Sequence, residues 1–187
     1  VPQAADSSGD AYKIAAEIDA GEWFGFEDRV LLNTYFKRLD PGFSANSVTS
    51  EQGSEKSGFA ANWKISDGSS LLGRHEKQLS LLDGSENTIS TMQWNLLRDQ
   101  WGLAAEVEDR QGFAGDATFA ALRANYRWTQ ALSTSLLHQQ TLAGIDNDQS
   151  TVGIAYRATE KLTLDASATH GTKGDSAQIG AQLDWRG

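Results

Sequence analysis

The sequence predicts an all-β protein, an antiparallel up-and-down transmembrane β-barrel of about 11–12 strands. Three observations predict it: apolar and polar residues alternate along most of the chain, the alternating stretches are about ten residues long, and tryptophans gather beside tight turns. Hydrophobic residues make up 39% of the 187 residues and mean hydropathy is -0.46, with no apolar run near the ~20 residues of a helical span. A barrel fits this composition because each strand turns only alternate residues to lipid.

The alternation is clearest over residues 118–128. Its even positions are Ala120, Leu122, Ala124, Tyr126 and Trp128, and its odd positions include Arg123, Asn125 and Arg127. Successive side chains of a strand point to opposite faces, so this segment has one apolar and one charged face. A half-buried strand of a soluble sheet has the same pattern. Its recurrence in strands long enough to cross a membrane favours the membrane protein.

The same pattern places the other strands. It predicts strands over about 11–20, 29–37, 59–66, 70–79, 90–96, 101–108, 118–128, 132–142, 152–157, 162–169 and 178–186. The segment 70–79 fits worst, because His75 and Lys77 fall on its apolar face. Tight turns are predicted near positions 21, 67, 99, 130 and 159, with looser loops between them, the longest over 39–57. Residues 1–10 are predicted to be a tail or incoming connection, and 11–187 a barrel domain or barrel segment.

The charged face of these strands carries both signs. The residues predicted to face the lumen are Lys13, Glu17, Asp19, Arg29, Lys64, Glu106, Glu108, Arg123, Asn125, Arg127, Arg157, Asp165, Gln182, Asp184 and Arg186. Such an interior either holds water and passes small polar solutes or is filled by salt bridges. Both alternatives stay open, because barrels of about eight strands are filled by side chains whereas those of about sixteen leave a channel.

Aromatic residues gather near one edge of the predicted sheet. The residues assigned to this interface girdle are Trp23, Trp63, Trp101, Trp128, Tyr156 and Trp185. Tryptophan and tyrosine favour the membrane interface because the ring is apolar while its polar group stays hydrated. Core tryptophans of a soluble sandwich have no reason to collect at one edge, so the distribution favours a membrane barrel.

Charge and composition exclude several partners and sites. The net charge of -9 argues against nucleic acid, and the absence of cysteine rules out disulfides and thiolate metal sites. Asp146-Asn147-Asp148 has the acidic spacing of a calcium loop without its remaining ligands, so no metal or cofactor is predicted. Acidic loop positions are candidates to bridge divalent cations to lipopolysaccharide: Asp83, Glu86, Asp116 and Asp175.

No enzyme is predicted. The three histidines, His75, His138 and His170, fall on three separate strands with no shared level expected. His170 is close in sequence to Ser167 and Asp165, but both of these belong to the opposite face. A membrane-barrel hydrolase is therefore only a distant alternative.

Two segments carry a family resemblance: 153–162, with the sequence GIAYRATEKL, and 35–44, with the sequence YFKRLDPGFS. They resemble the barrel regions of large outer-membrane proteins of Gram-negative bacteria, and the resemblance extends over about residues 10–187. It implies a bacterial outer-membrane location with the lipid bilayer and lipopolysaccharide as partners. Two departures are the C-terminal sequence DWRG, which lacks a terminal aromatic residue, and an odd strand count. Further strands or other chains are expected to complete the barrel if the count is correct.

The sequence therefore predicts a membrane anchor or scaffold, or a passive channel for small polar solutes. The competing class is a soluble β-barrel or sandwich that acts as a binding module. These classes differ in one physical respect, which is whether the apolar face meets hydrocarbon or a protein core.

Overall fold

A computed structural model of the protein describes residues 9–25, 29–43, 53–112 and 115–184. The predicted all-β class is confirmed, and each of the eleven predicted strands has a counterpart. The strands are β1 (Ala11–Asp19), β2 (Val30–Leu39), β3 (Ser54–Ser66), β4 (Ser69–Ser80), β5 (Glu86–Leu97), β6 (Trp101–Gly112), β7 (Ala117–Arg127), β8 (Leu132–Gly144), β9 (Gln149–Arg157), β10 (Leu162–Gly171) and β11 (Ser176–Leu183). Within the described residues, no helix has the length and apolar composition to cross a membrane.

All eleven strands belong to one sheet, in the order in which they occur along the chain. Neighbours whose register is defined are antiparallel, which is the up-and-down topology expected from alternating turns and loops. The chain divides into two compact units. Unit 1 comprises residues 1–64, 72–92 and 109–116, and unit 2 comprises residues 65–71, 93–108 and 117–187.

The connection between β1 and β2 differs from the predicted tight turn at Gly21-Glu22. It contains a short 3-10 helix, Ala20–Phe24, that begins where Asp19 accepts a hydrogen bond from the Gly21 N–H at 2.8 Å. Gly25 ends this helix with φ +73°, a left-handed conformation that glycine adopts without steric cost. The cap and the glycine are local signals that a search for alternating residues does not weigh.

The β3–β4 hairpin has the predicted turn. β3 ends at Ser66 and β4 begins at Ser69, so Asp67-Gly68 forms the two-residue connection that this dipeptide favours. The Leu97 N–H donates to the Gly68 carbonyl at 2.7 Å, which ties the turn to the end of β5.

β3 begins earlier than the sequence pattern indicates. Residues 54–57 were predicted to lie in the loop 39–57, but they pair with β2, with Ser54 opposite Leu39 and Lys56 opposite Lys37. Backbone hydrogen bonds hold this extension, so it requires no apolar side chains. The part of the predicted loop over 44–52 lies outside the described residues.

β4 shows how polar residues are accommodated on the apolar face. The His75 ring lies 5.6 Å from the ring of Phe59, and its Nδ1 is 2.9 Å from Ser90 Oγ on β5. Lys77 Nζ lies 2.7 Å from Glu86 Oε2, also on β5. His75 and Lys77, which interrupt the alternation of apolar and polar residues in β4, therefore both contact side chains of β5.

The apolar side chains of unit 2 are exposed rather than packed in a core. Leu122, Ile154 and Leu183 keep 48%, 47% and 47% of their surface exposed, and the buried hydrophobic residues among those described are Ala20 and Leu39. A soluble sandwich buries the apolar faces of its strands in a core. Exposed apolar rows are instead what strands present to hydrocarbon, so the fold disfavours the soluble alternative.

Candidate functional site: the polar face of the sheet

The register of unit 2 brings polar-face residues of neighbouring strands to common levels. One row runs across β7 to β11 through Arg127, Ser133, Ala155, Asp165 and Gly180. Arg127 and Asp165, both predicted to face the lumen, therefore share a level three strands apart. The row combines charges of both signs with small residues between them.

The small residues leave open space beside the charged groups. A cleft of about 540 Å³ is lined by side chains that include Arg127, Ser133, Ala155 and Arg157. Arg127 also donates a hydrogen bond from Nη2 to the carbonyl oxygen of Asp99. Because serine and alanine fill little volume, the two arginines predicted to face the lumen border an open cleft on the polar face.

A second row of polar-face residues lies two residues further along each strand. It runs through Asn125, Ser135, Gly153, Ser167 and Gln178, and most of it lines a further cleft of about 470 Å³. This cleft also reaches Asp165 of the first row. The predicted lumen residue Asn125 thus borders a cleft that Asp165 also lines.

Glycine makes room for the carboxylate of Asp165. A Cβ atom added at Gly180 would lie 2.6 Å from Asp165 Oδ1 and 2.7 Å from Oδ2, closer than real Cβ contacts allow. The carboxylate therefore occupies the position that a side chain at 180 would take.

Unit 1 has a row of three lysines on its polar face. Lys13 of β1 pairs with Lys37 of β2, and Lys37 pairs with Lys56 of β3. Four residues further along β1, the row on the same face contains Glu17 and Asn33. Lys13 and Glu17 are predicted lumen residues, whereas Lys37 is absent from the predicted lumen set and Lys56 falls in the predicted loop 39–57.

The other predicted lumen residues of unit 1 lie where β1 ends and β2 begins. The Lys64 N–H donates to the Arg29 carbonyl at 2.7 Å, and both side chains are exposed. Arg29 precedes β2, so it lies beside the strand rather than within it. Asp19 ends β1 and uses its carboxylate as the helix cap described above.

The remaining predicted lumen residues are spread over unit 2. Arg123 pairs with Leu137, Gln182 pairs with Thr163, and Asp184 follows β11, where its N–H donates to the Lys161 carbonyl at 2.8 Å. Glu106 and Glu108 are partly exposed residues of β6. Arg186 lies outside the described residues. A lumen role for the whole set stays a prediction.

The aromatic residues assigned to the girdle are exposed wherever the structure describes them. Trp23 lies in the 3-10 helix, whereas Trp63, Trp101, Trp128 and Tyr156 lie in strands or directly beside them. Trp128 packs edge-on against Tyr126 at 4.6 Å and donates from Nε1 to Thr134 Oγ1 at 3.1 Å. Trp185 lies outside the described residues, and the girdle role stays a prediction.

The sixth tryptophan also lies at a turn. Trp94 Nε1 donates to Ser69 Oγ at 3.1 Å, and Ser69 is the first residue after the Asp67-Gly68 turn. In the sequence Trp94 appears inside a strand, and only the pairing of β5 with β4 brings it to this edge. The alternation within one strand does not show this position, because it depends on how β5 pairs with β4.

Two of the three histidines share a level, contrary to the expectation. His138 of β8 and His170 of β10 both pair with Ser150 of β9. His138 Nδ1 lies 2.8 Å from Ser150 Oγ, whereas Asp175 Oδ1 lies 2.6 Å from Nδ1 of His170. A serine hydrolase needs serine and acid on the same histidine. Here they bind different histidines, so this arrangement does not favour a hydrolase.

The acidic loop residues proposed as cation ligands already have protein partners. Glu86 binds Lys77, Asp175 binds His170, and Asp116 accepts from the Gly112 N–H at 3.2 Å. Hydrogen bonds from Ser80 and Ser85 lower the pKa of Asp83 to about 2. In the described part of the chain, no group of three or more acidic or histidine side chains has the geometry to hold a metal ion.

Two more loop carboxylates are held in the charged form. A hydrogen bond from Arg38 at 3.0 Å, with a further one from the Asp10 backbone, lowers the pKa of Asp40. The Thr141 N–H donates to Asp148 at 2.6 Å and lowers the pKa of that carboxyl group. Asp148 thus helps to order the loop between β8 and β9.

Comparison with solved structures identifies the fold. A KdgM porin matches over 95% of this chain and 92% of its own, with 9% identity and a TM-score of 0.51, and a KdgM porin in complex with disordered oligogalacturonate matches with 11% identity and a TM-score of 0.50. A variant of the Rhodopseudomonas blastica porin matches 94% of this chain with 18% identity and a TM-score of 0.64. The chain spans 55% of that porin's length. No family model matches the chain, and no curated protein matches it in sequence.

These neighbours confirm two predictions made from the sequence. The resemblance to outer-membrane barrel regions is confirmed, and so is the antiparallel up-and-down barrel class, because the matched structures are porins and the matches cover almost the whole chain. At identities of 9–18% the likeness establishes the fold alone.

Proposed function

We propose that this chain forms a passive outer-membrane channel for small polar solutes, with the polar face of the sheet lining the pathway. The observation that carries the proposal is the pair of open clefts on that face, one bordered by Arg127 and Arg157 and the other by Asp165. Charged groups beside water-filled space are the means by which channels admit polar solutes and select among them. The porin fold supports this reading.

A membrane anchor with a filled interior is the competing function. A filled interior requires bulky or salt-bridged side chains that occupy the space between strands. In unit 2 the polar face instead places Ser133, Ala155 and Gly153 beside one another at the centre of the rows. This run of small residues favours a channel over an anchor.

The proposed location is the bacterial outer membrane. The exposed apolar rows of unit 2 are suited to the hydrocarbon of the bilayer, and the girdle aromatics to its interface. Lipopolysaccharide is the proposed lipid partner at the loop end, and further strands or other chains remain proposed partners of the sheet.

A planar-bilayer recording tests the channel directly. We expect the refolded full chain, added at nanomolar concentration in 1 M KCl, to give discrete current steps. An anchor with a packed interior would insert without producing steps. Protein that inserts into the bilayer but leaves the current at baseline would therefore contradict the proposal.

A matched pair of variants ties the current to the polar face. Ala155→Trp places a bulky ring in the cleft beside Arg127, and we expect it to lower the unit conductance by at least about twofold. Leu164→Trp adds a ring on the apolar face instead, where 42% of the leucine is exposed, and we expect an unchanged conductance. Equal effects of the two variants would show that the current does not pass along the polar face.

A further inference from the structure

Two opposite charges lie near one another on the polar face of unit 2 without binding each other. Arg157 of β9 pairs with Thr163 of β10, and two residues along, Ala155 pairs with Asp165. Arg157 and Asp165 are therefore diagonal neighbours on adjacent strands, with Cα atoms about 7–8 Å apart. Both side chains are exposed, and within the described part of the chain neither makes a hydrogen bond or an ion pair.

The two clefts of the polar face adjoin between these charges. Arg157 lines the cleft of about 540 Å³, Asp165 lines the cleft of about 470 Å³, and Ala155 lines both. The Asp165 carboxylate leans toward β11, because a Cβ atom added at Gly180 would lie 2.6 Å from its Oδ1. The space over Ala155 is therefore bordered by a cation on one side and an anion on the other.

A second arginine borders the larger cleft, but its charge is shared. Arg127 donates a hydrogen bond to the carbonyl oxygen of Asp99, and it also lines a neighbouring cleft with Asp67 and Asp99. Arg157 has no such partner among the described residues, so its guanidinium keeps all of its side-chain donors for a solute. Arg157 is therefore the principal cation of the site, and Arg127 is a second donor across the cleft.

The arrangement selects against solutes of a single charge. A simple anion is attracted by Arg157 and repelled by Asp165, and a simple cation experiences the reverse. A solute that carries both charges satisfies both side chains at once. Guanidinium groups bind carboxylates through paired hydrogen bonds, and the Asp165 carboxylate accepts from an ammonium group. Ala155, between the two, leaves room for the carbon atoms that join the charges.

We propose that Arg157 and Asp165 form a binding site for zwitterionic solutes of the amino-acid class, with the solute carboxylate toward the arginines and its ammonium group toward Asp165. The inference deepens the proposed channel function and rests on it for its biological role, because it names a solute class and a place where that solute pauses in the pathway.

Equilibrium binding tests the site without requiring any current. L-Alanine carries both charges, propionate lacks the ammonium group and ethylammonium lacks the carboxylate. The full chain in detergent micelles, at pH 7 and 50 mM salt, is titrated with each probe, and saturation-transfer NMR gives the dissociation constants. We expect L-alanine to bind at least about threefold more tightly than either single-charge probe, the gain from one additional exposed ion pair.

Single variants assign each charge to its side chain. Asp165→Asn is expected to raise the affinity for propionate and to abolish the preference for L-alanine over it, because the repulsion of the anion and the acceptor for ammonium are lost together. An unfolded variant cannot show such a gain. Arg157→Gln is expected to weaken L-alanine binding by at least about threefold and to abolish its preference over ethylammonium.

Lys173→Gln is the matched control. It removes a positive charge from the loop between β10 and β11, and we expect the three affinities to stay as in the wild type. Propionate or ethylammonium as the tightest ligand of the wild type overturns the site, and so does equal or undetectable binding of all three probes. Variants at 157 and 165 that keep the wild-type preference overturn it as well.

The two proposals fail separately. If L-alanine binds with the expected preference and the two variants alter it while bilayer recordings stay at baseline, the zwitterion site stands and the channel function is wrong. If current steps occur but L-alanine binds no more tightly than propionate and ethylammonium, the channel function stands and the zwitterion site is wrong.

Discussion

Ile154→Arg is expected to destabilise the protein in a lipid bilayer by about 2–4 kcal/mol, the cost of an arginine facing lipid near the centre of a barrel strand. Ile154 lies mid-way along β9, is 47% exposed, and pairs with Thr134 and Ala166 on the apolar face. The guanidinium would have to enter hydrocarbon, where no water hydrates it. Urea titration of folding into lipid vesicles measures the loss.

The adjacent residue provides the control. Ala155→Arg places the same side chain on the polar face, where it enters a cleft at the level of Asp165. We expect the free energy of folding to change by less than about 1 kcal/mol. If Ala155→Arg were as damaging as Ile154→Arg, the assignment of the two faces would be wrong.

Gly58→Val is expected to lower the free energy of unfolding by about 1–3 kcal/mol, the usual cost of forcing extra atoms into an occupied space. A Cβ atom at position 58 would lie 2.8 Å from Tyr35 Cε1 and 3.0 Å from the backbone oxygen of His75. The ring can move, but the backbone of β4 cannot without breaking its pairing with β3. Equilibrium urea unfolding in detergent micelles measures the change.

Gly73→Val is the matched control on the neighbouring strand. A Cβ atom at Gly73 meets nothing within 4 Å, and valine favours the extended backbone, so we expect stability to be unchanged or slightly higher. A loss at position 73 equal to that at 58 would indicate that glycine is needed in these strands for a reason other than the approach of Tyr35 and His75.

Strand number and faces were predictable from the sequence because they follow from a local rule. Alternation with period two identified each of the eleven strands and separated residues such as Leu164 and Asp165 onto opposite faces. Alternation was a weaker guide where contacts with a neighbouring strand decide which residues a face carries. At β4 the partners of His75 and Lys77 lie on β5, and no local pattern reveals them.

The candidate site was only half predictable, because its geometry depends on register. Lys13 was assigned to the lumen from its own strand, but the three-lysine row exists only once β1, β2 and β3 are aligned. Lys56 lies in a polar segment that the sequence predicts to be a loop. Backbone hydrogen bonds to β2 make it a strand, and these leave no pattern of apolar side chains in the sequence. The same limitation hid the common level of His138 and His170, which Ser150 reveals.

The central claim is that one face of the sheet meets hydrocarbon and the other meets water, and thiol labelling along β9 tests it most directly. The chain has no cysteine, so single cysteines can be placed without a background signal at Thr151, Val152, Ile154 and Ala155. In lipid vesicles we predict that a membrane-impermeant, water-soluble maleimide added to both sides labels Thr151→Cys and Ala155→Cys rapidly. Val152→Cys and Ile154→Cys should resist it until the protein is unfolded. Equal labelling at all four positions, or protection of the two polar-face positions, would contradict the account.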